Sequence, residues 1–274
     1  MLEKFDLASI RPNSSAAVHL ISEAGRLAYA DRRRYVADSD FVEVPLARLL
    51  EPTYLAQRAE LIQMEKSMGI AQPGEVMAEK ISQADDNALE FNSTSHISIV
   101  DGAGNAVSMT TTIEDAFGSR QMVRGFLLNN QMTDFSFSAM ENGLPVANRI
   151  EAGKRPRSSM TPVMIFDAKD KLIGIVGSPG GSAIINYVAK TVVGVIDWNL
   201  SMQQAIDLPN FGSRNGPTEL EQATDLENIS AALQSLGHDV KLIEMNSGLH
   251  GMWKTKQGWQ SGADPRREGV ARGR

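Results

Sequence analysis

An α+β fold is what this sequence predicts, and three observations predict it. Period-two alternation comes in paired segments joined by short polar turns. Helical periodicity is confined to stretches between those pairs, and no strand–helix–strand unit recurs along the chain. The 274 residues suit one large domain or two small ones with a well-buried core.

The first helix is predicted over 19–35, where Leu20, Ala24, Leu27 and Ala28 share a face and Arg26, Arg32, Arg33 and Arg34 form a charged rim. A second is predicted over 53–67. Residues 69–91, containing Pro73-Gly74 and Asp85-Asp86-Asn87, read as an exposed linker. Ile97 and Ile99 then alternate with polar neighbours, Asp101-Gly102-Ala103-Gly104-Asn105 turns the chain, and 106–112 returns as the second strand of a hairpin. Another hairpin is expected from 163–166 and 172–176. Ser178-Pro179-Gly180-Gly181 leads into an apolar helix over 182–198. Ser201 with Gln204, and Thr224 with Glu227, have capping-box spacing, and Gly237 suits a left-handed helix end. Strands over 240–244 and 251–254, with a return near Trp259, close the chain.

Composition excludes several functions. A net charge of −6 argues against nucleic acid as a partner, and Arg266, Arg267, Arg272 and Arg274 read as a short solvated tail. With no cysteine there is no disulfide, thiolate metal site or cysteine nucleophile. No apolar run reaches the roughly 18 residues of a membrane span. The four histidines (His19, His96, His238, His250) are scattered without pairing at helical spacing, so no metal site is expected. Neither a G-x-S-x-G elbow, an H-E-x-x-H helix nor a phosphate-binding loop is present.

What remains is polar. Ser93-Thr94-Ser95-His96 enters the first hairpin and Thr110-Thr111-Thr112 leaves it, an arrangement that β-propensity alone would also produce. Ser178-Pro179-Gly180-Gly181-Ser182 joins a strand to a helix N-terminus, where amide groups could converge on an oxyanion; a tight turn needing glycine is the equally good alternative. The runs 129–134 and 154–160 are dense in polar groups that must find partners, and together they suggest a site for a charged small molecule.

In order, these segments resemble the small subunit of γ-glutamyltranspeptidases. Thr94-Ser95-His96, Gly104-Asn105-Ala106-Val107-Ser108, Leu127-Leu128-Asn129-Asn130-Gln131-Met132, Lys154-Arg155-Pro156 with Ser158-Ser159-Met160, Gly177-Ser178-Pro179-Gly180-Gly181 and Asp264-Pro265-Arg266 carry the resemblance. Glu23-Ala24 and Arg26-Leu27-Ala28-Tyr29-Ala30-Asp31-Arg32 are similar to the end of the large subunit. The resemblance implies an N-terminal nucleophile hydrolase fold, an αββα sandwich, incomplete here because the N-terminal part of the large subunit is absent. It implies cleavage between Ser93 and Thr94, dividing the chain into 1–93 and 94–274.

By the same resemblance Thr94 is the nucleophile, Thr112 orients it, and Gly180 and Gly181 hold the oxyanion. Glu114, Gln131 and Asp134 bind the donor's α-ammonium; Ser158 and Ser159 bind its α-carboxylate. The implied substrate is glutathione or another γ-glutamyl amide, with water or an amino acid as acceptor and no cofactor. A need for the missing large-subunit portion is implied too, as is a periplasmic or secreted location. Residues 135–153 are short and lack tyrosine, so an open cleft without a lid is expected. A cephalosporin or glutaryl acylase of the same fold and a truncated non-catalytic homologue are the alternatives.

Overall fold

The computed structural model describes residues 1–76, 84–86 and 93–273. In chain order the helices are α1 (Ser15–Tyr35), α2 (Leu46–Leu49), α3 (Pro52–Ala59), α4 (Ile184–Ile196), α5 (Met202–Asp207) and α6 (Ser230–Ser235). The strands of the first half are β1 (Ser95–Val100), β2 (Ala106–Thr111), β3 (Met122–Val123), β4 (Phe126–Leu127), β5 (Met140–Glu141), β6 (Leu144–Pro145), β7 (Val163–Phe166) and β8 (Leu172–Gly177). Those of the second are β9 (Phe211–Ser213), β10 (Thr218–Glu221), β11 (Val240–Ile243), β12 (His250–Thr255) and β13 (Gly258–Ala263).

The central sheet is antiparallel in the order β13-β12-β8-β7. Its strands alternate, so each face has its own neighbours. Val176 joins Ile184, Tyr187, Val188 and Ile206 in the core beneath α4 and α5. Gly251, which pairs with Val176, has no room for a side chain: a Cβ there would lie 2.7 Å from Met202 Sδ on α5. The opposite face carries the β1–β2 hairpin, whose Ser98 and Ser108 hydroxyls reach the carbonyls of His250 and Val176, each at 3.4 Å. The layers therefore run helix, sheet, hairpin. Beyond the hairpin, Ile97, Ile99, Val107 and Met109 point outward and are 41–52 % exposed.

A second core joins α1 to the three-stranded sheet β11-β10-β9, through Leu20, Ile21, Leu27, Phe211, Leu220 and Leu233. α1 is anchored at its start by Ser14, which accepts from Ala17 N at 3.2 Å. It is buried along most of its length, charged side chains included: Glu23 accepts from Arg26 Nε (2.9 Å), Ser67 Oγ (2.8 Å) and Met68 N (2.7 Å). Arg26 also reaches Thr218 Oγ1 at 2.8 Å.

Both hairpins, the capping box of Ser201 with Gln204, and Gly237 at a positive φ of 90° match expectation. Five readings need correction. The helix predicted over 53–67 ends at Ala59, because Ser67 and Met68 N turn back to Glu23. That predicted over 182–198 opens as a 3-10 turn, Gly181–Ala183, before α4. Thr224 caps Leu226 N at 3.4 Å, while Glu227 accepts from Ala223 N (2.6 Å) instead of closing a box.

The linker read as exposed is so at Gly69, Ile70, Gln72 and Glu75, but it is docked at other described positions. Ala71 exchanges two hydrogen bonds with Asn215 (2.7 and 2.9 Å), and Asp86 is buried against Arg157 at 3.0 Å and Asn148 at 2.7 Å. Residues 77–83 and 87–92 of that linker lie outside the described residues. Finally, Arg266 and Arg267 are no solvated tail. Arg266 pairs with Glu221 (2.6 Å) and Asp264 (3.1 Å), and Arg267 donates to the carbonyls of Thr94 (3.3 Å) and Asn246 (2.9 Å). Arg274 falls outside the described residues.

Candidate active site

Antiparallel register brings the two ends of the first hairpin together. Ser95 pairs with Thr111, so Thr94 and Thr112 face each other just beyond the last rung, with their hydroxyl oxygens 3.2 Å apart. Both lie on the carbonyl that precedes Thr94. Thr112 Oγ1 donates to Ser93 O at 2.7 Å, and Thr94 Oγ1 is within hydrogen-bond reach of the same oxygen. Thr112 in turn accepts from Glu114 N at 2.8 Å.

Glu114 has a positive φ of 76°, an uncommon conformation for a residue with a side chain. Two bonds hold it there: its amide to Thr112, and its carboxylate accepting from Asn130 Nδ2. Asn130 Oδ1 also accepts from Asp115 N at 2.9 Å. Asp134 is buried and accepts from Gln131 Nε2. Asn148, fully buried, donates to Asp134 O (2.8 Å) and Asp86 Oδ2 (2.7 Å) and accepts from Arg157 N (2.8 Å). That one amide thus ties together the segments carrying Asp134 and Ser158-Ser159. Nothing in the sequence singled out Asn148; only its burial does.

One cleft collects Thr94, Thr112, Glu114, Gln131, Asp134, Ser158, Ser159 and Gly181, with Ser93, Met160 and Ile184. Two of the described lining residues are carboxylates and none is a lysine or arginine. Residues 135–153 are not among the residues that line this cleft. Gly180 is not among the lining residues. Its glycine has a packing origin: at φ 135° a Cβ would lie 2.6 Å from the Tyr187 ring. The loop that holds Gly181 is clamped on its far side, where Tyr29 Oη donates to Ser182 O and Arg214 Nη1 donates to Ser182 Oγ (2.8 Å).

His96 lies on the inner face of β1, where a Cβ on Gly177 would come within 2.2 Å of its ring. Its Nδ1 pairs with Thr110 Oγ1 at 2.8 Å and its Nε2 with Ser98 Oγ at 3.1 Å. Burial, with a smaller contribution from His250, lowers its pKa to about 4. Far from the cleft, His19 and His238 meet at 2.7 Å, and Glu23, one helical turn after His19, completes a buried group of potential metal ligands that scattered histidines gave no reason to expect. Its geometry is that of a hydrogen-bonded network. His19 is also bonded to Gln63 O (2.8 Å), His238 to Thr218 Oγ1 (2.7 Å), and Glu23 to three donors.

His238 is likewise lowered to about 4, by burial first and then by His19. Both imidazoles ionise near pH 6.5 when unfolded. Between that pH and about 4 the unfolded chain binds more protons than the folded one, so stability present above pH 6.5 is lost as pH falls. The urea midpoint is expected to drop between pH 7.5 and pH 5; equal midpoints would refute neutral burial of these rings.

A family profile described as gamma-glutamyltranspeptidase matches residues 1–273. The chain is 36% identical over 281 residues to a glutathione hydrolase proenzyme of Escherichia coli, covering 97% of this chain and 46% of that protein. It is 34% identical over 245 residues to an acylase ACY 1 proenzyme of Pseudomonas, covering 88% of this chain and 40% of the relative. Among solved structures, a mutant γ-glutamyltranspeptidase of Helicobacter pylori superposes with a TM-score of 0.57 at 34% identity, covering 63% of this chain and 99% of the matched one. The chain thus spans less than half the length of the curated relatives it matches.

Proposed function

This chain belongs to the γ-glutamyltranspeptidase family and has its N-terminal nucleophile hydrolase fold in incomplete form, and on that premise we propose that it cleaves itself before Thr94 and then transfers or hydrolyses γ-glutamyl groups. One observation carries the reading: the hydroxyls of Thr94 and Thr112 both lie on the Ser93 carbonyl oxygen.

In the first reaction Thr94 Oγ attacks that carbonyl carbon, the peptide C–N bond breaks, and an ester forms. Water hydrolyses the ester, leaving 1–93 with a carboxylate and 94–274 with a free amine on Thr94. Such an amine ionises near 7.7–8.0, low enough to act as base for its own hydroxyl at neutral pH. In the second reaction Thr94 Oγ attacks the γ-carbonyl of the donor and expels the amine of the leaving group. Water or an amino acid then takes the acyl group. Gly181, with Gly180, offers amides to the oxyanion; a donor of this kind contributes roughly 2.7–4 kcal/mol in a serine protease. Thr112 orients Thr94.

Glu114, Asp134 and Gln131 would hold the donor's α-ammonium, and Ser158 and Ser159 its α-carboxylate. The carboxylates favour a γ-glutamyl donor, glutathione among them, over the plain diacid of a glutaryl acylase. A further polypeptide is required, to cover the apolar face formed by Ile97, Ile99, Val107 and Met109. Among the described residues no helix is long and apolar enough to cross a membrane; a periplasmic or secreted location follows from the family.

Purified alone and with a polypeptide equivalent to the relatives' N-terminal half, the protein should run as two pieces divided before Thr94. It should release p-nitroaniline from the γ-glutamyl anilide faster than from the glutaryl one. An uncut, inactive chain in both preparations would make it a non-catalytic homologue. Asp134→Ala should raise the donor KM about 10-fold or more with little change in kcat, as expected for a lost charged hydrogen bond. Unchanged donor kinetics would remove Asp134 from the site.

A further inference from the structure

We propose that the cavity between the β1–β2 hairpin and strands β12 and β13 is a second binding site, for a small carboxylate with a compact apolar body. The cavity measures about 220 Å³ and shares no lining residue with the cleft that holds Thr94. At roughly 30 Å³ per water it has room for about seven waters, or for a ligand of similar size. Strand alternation builds its walls. Gly251 on β12 faces Met202 of α5, so His250 and Met252 face the other way, into the cavity. Ser261 on β13 pairs with Met252 and shares its face. Residues 270–272 complete the lining.

Two imidazoles line this cavity. His96 is bonded at both ring nitrogens, to Thr110 Oγ1 and Ser98 Oγ. His250 differs: its Nδ1 is buried and has no hydrogen-bond partner among the described residues. Buried N–H groups are rarely left unpaired, whereas a lone pair is tolerated more often. In the neutral His250 ring the proton therefore belongs on Nε2. That atom lies against Gly269, where a Cβ would come within 2.3 Å of it, directly before the stretch 270–272. His250 thus offers a donor on the side where Arg272 passes.

Charge decides the ligand. Arg272 lines the cavity and no carboxylate does, the reverse of the cleft, which has Glu114 and Asp134 and no lysine or arginine. A carboxylate can accept from the Arg272 guanidinium and the His250 N–H together, and such charge-assisted bonds are the strong ones. A cation would meet no counter-charge among the described lining residues. Met252 and Val270 add apolar wall, which a short carbon body covers and a bare inorganic anion leaves wet.

Benzoate, benzamide and benzylamine share one ring and differ in charge, and inorganic phosphate is an anion without the ring. Titration calorimetry on the full chain gives a Kd for each. Benzoate should bind at least tenfold more tightly than the other three. His250→Phe and Arg272→Met should each weaken benzoate about tenfold, while Asp134→Ala, in the cleft, should leave it within about twofold. Arg272 is exposed, so its substitution spares the fold, and thermal unfolding checks the His250 variant. Benzoate no tighter than benzamide overturns the charge assignment, and phosphate as tight as benzoate overturns the apolar body. Benzoate affinity unchanged in both cavity variants, or lost in Asp134→Ala, overturns the site itself.

Discussion

Thr94→Ala is expected to give a chain that stays in one piece and turns over no γ-glutamyl amide. In the proposed scheme both reactions would use the same oxygen: first on the carbonyl of Ser93, with which it is in contact, and then on the donor. Removing a nucleophile from a covalent mechanism costs on the order of 10⁴–10⁶ in kcat, and no neighbouring group can substitute, since Thr112 has no free amine to activate it. Thr94→Ser keeps the attacking atom and should keep cleavage and turnover at reduced rates. Intact mass and anilide hydrolysis read both outcomes. Division of the alanine variant before residue 94 would rule out this hydroxyl as the agent of cleavage.

Glu23→Ala should be the most destabilising single change, by about 3–5 kcal/mol, the range found when one partner of a buried ion pair is removed. Glu23 is fully buried and satisfies Arg26 Nε, Ser67 Oγ and Met68 N together. Without it three donors lose their acceptor, one of them charged. The double variant Glu23→Ala/Arg26→Met removes the charge as well and should recover part of the loss. Urea unfolding of the uncut chain measures both; a loss below about 1 kcal/mol would mean that water or a rearranged loop replaces the carboxylate.

Local order was legible in the sequence. Alternating apolar residues announced both long hairpins, and Ser201 with Gln204 announced a helix start, because these patterns reflect contacts between near neighbours. The polar runs around Asp134 and Ser159 were recognisable as needing partners, and the fold brings them to one cleft with Thr94.

Long-range order was not legible. No element is predicted over 210–221, which contains Gly212, Asn215, Gly216 and Pro217. That segment nonetheless supplies β9 and β10, whose parallel partner β11 begins nearly twenty residues later. The bond between His19 and His238 spans 219 positions, and no local pattern can encode it. The basic residues near the C-terminus resembled a tail because their carboxylate partners, Glu221 and Asp264, and the Thr94 carbonyl become neighbours only in three dimensions.

Helix α1 lies on one side of the proposed cut and its partners lie on the other. Arg26 grips Thr218, His19 grips His238, and Asn215 grips Ala71 through buried bonds. A severed chain would therefore keep its native size on a gel-filtration column. What changes is molecularity. Recovery from denaturant, a unimolecular event for the precursor, becomes an encounter between two strangers, second order in concentration and dependent on dilution. Maturation would thus make the protein easy to keep folded and hard to rebuild.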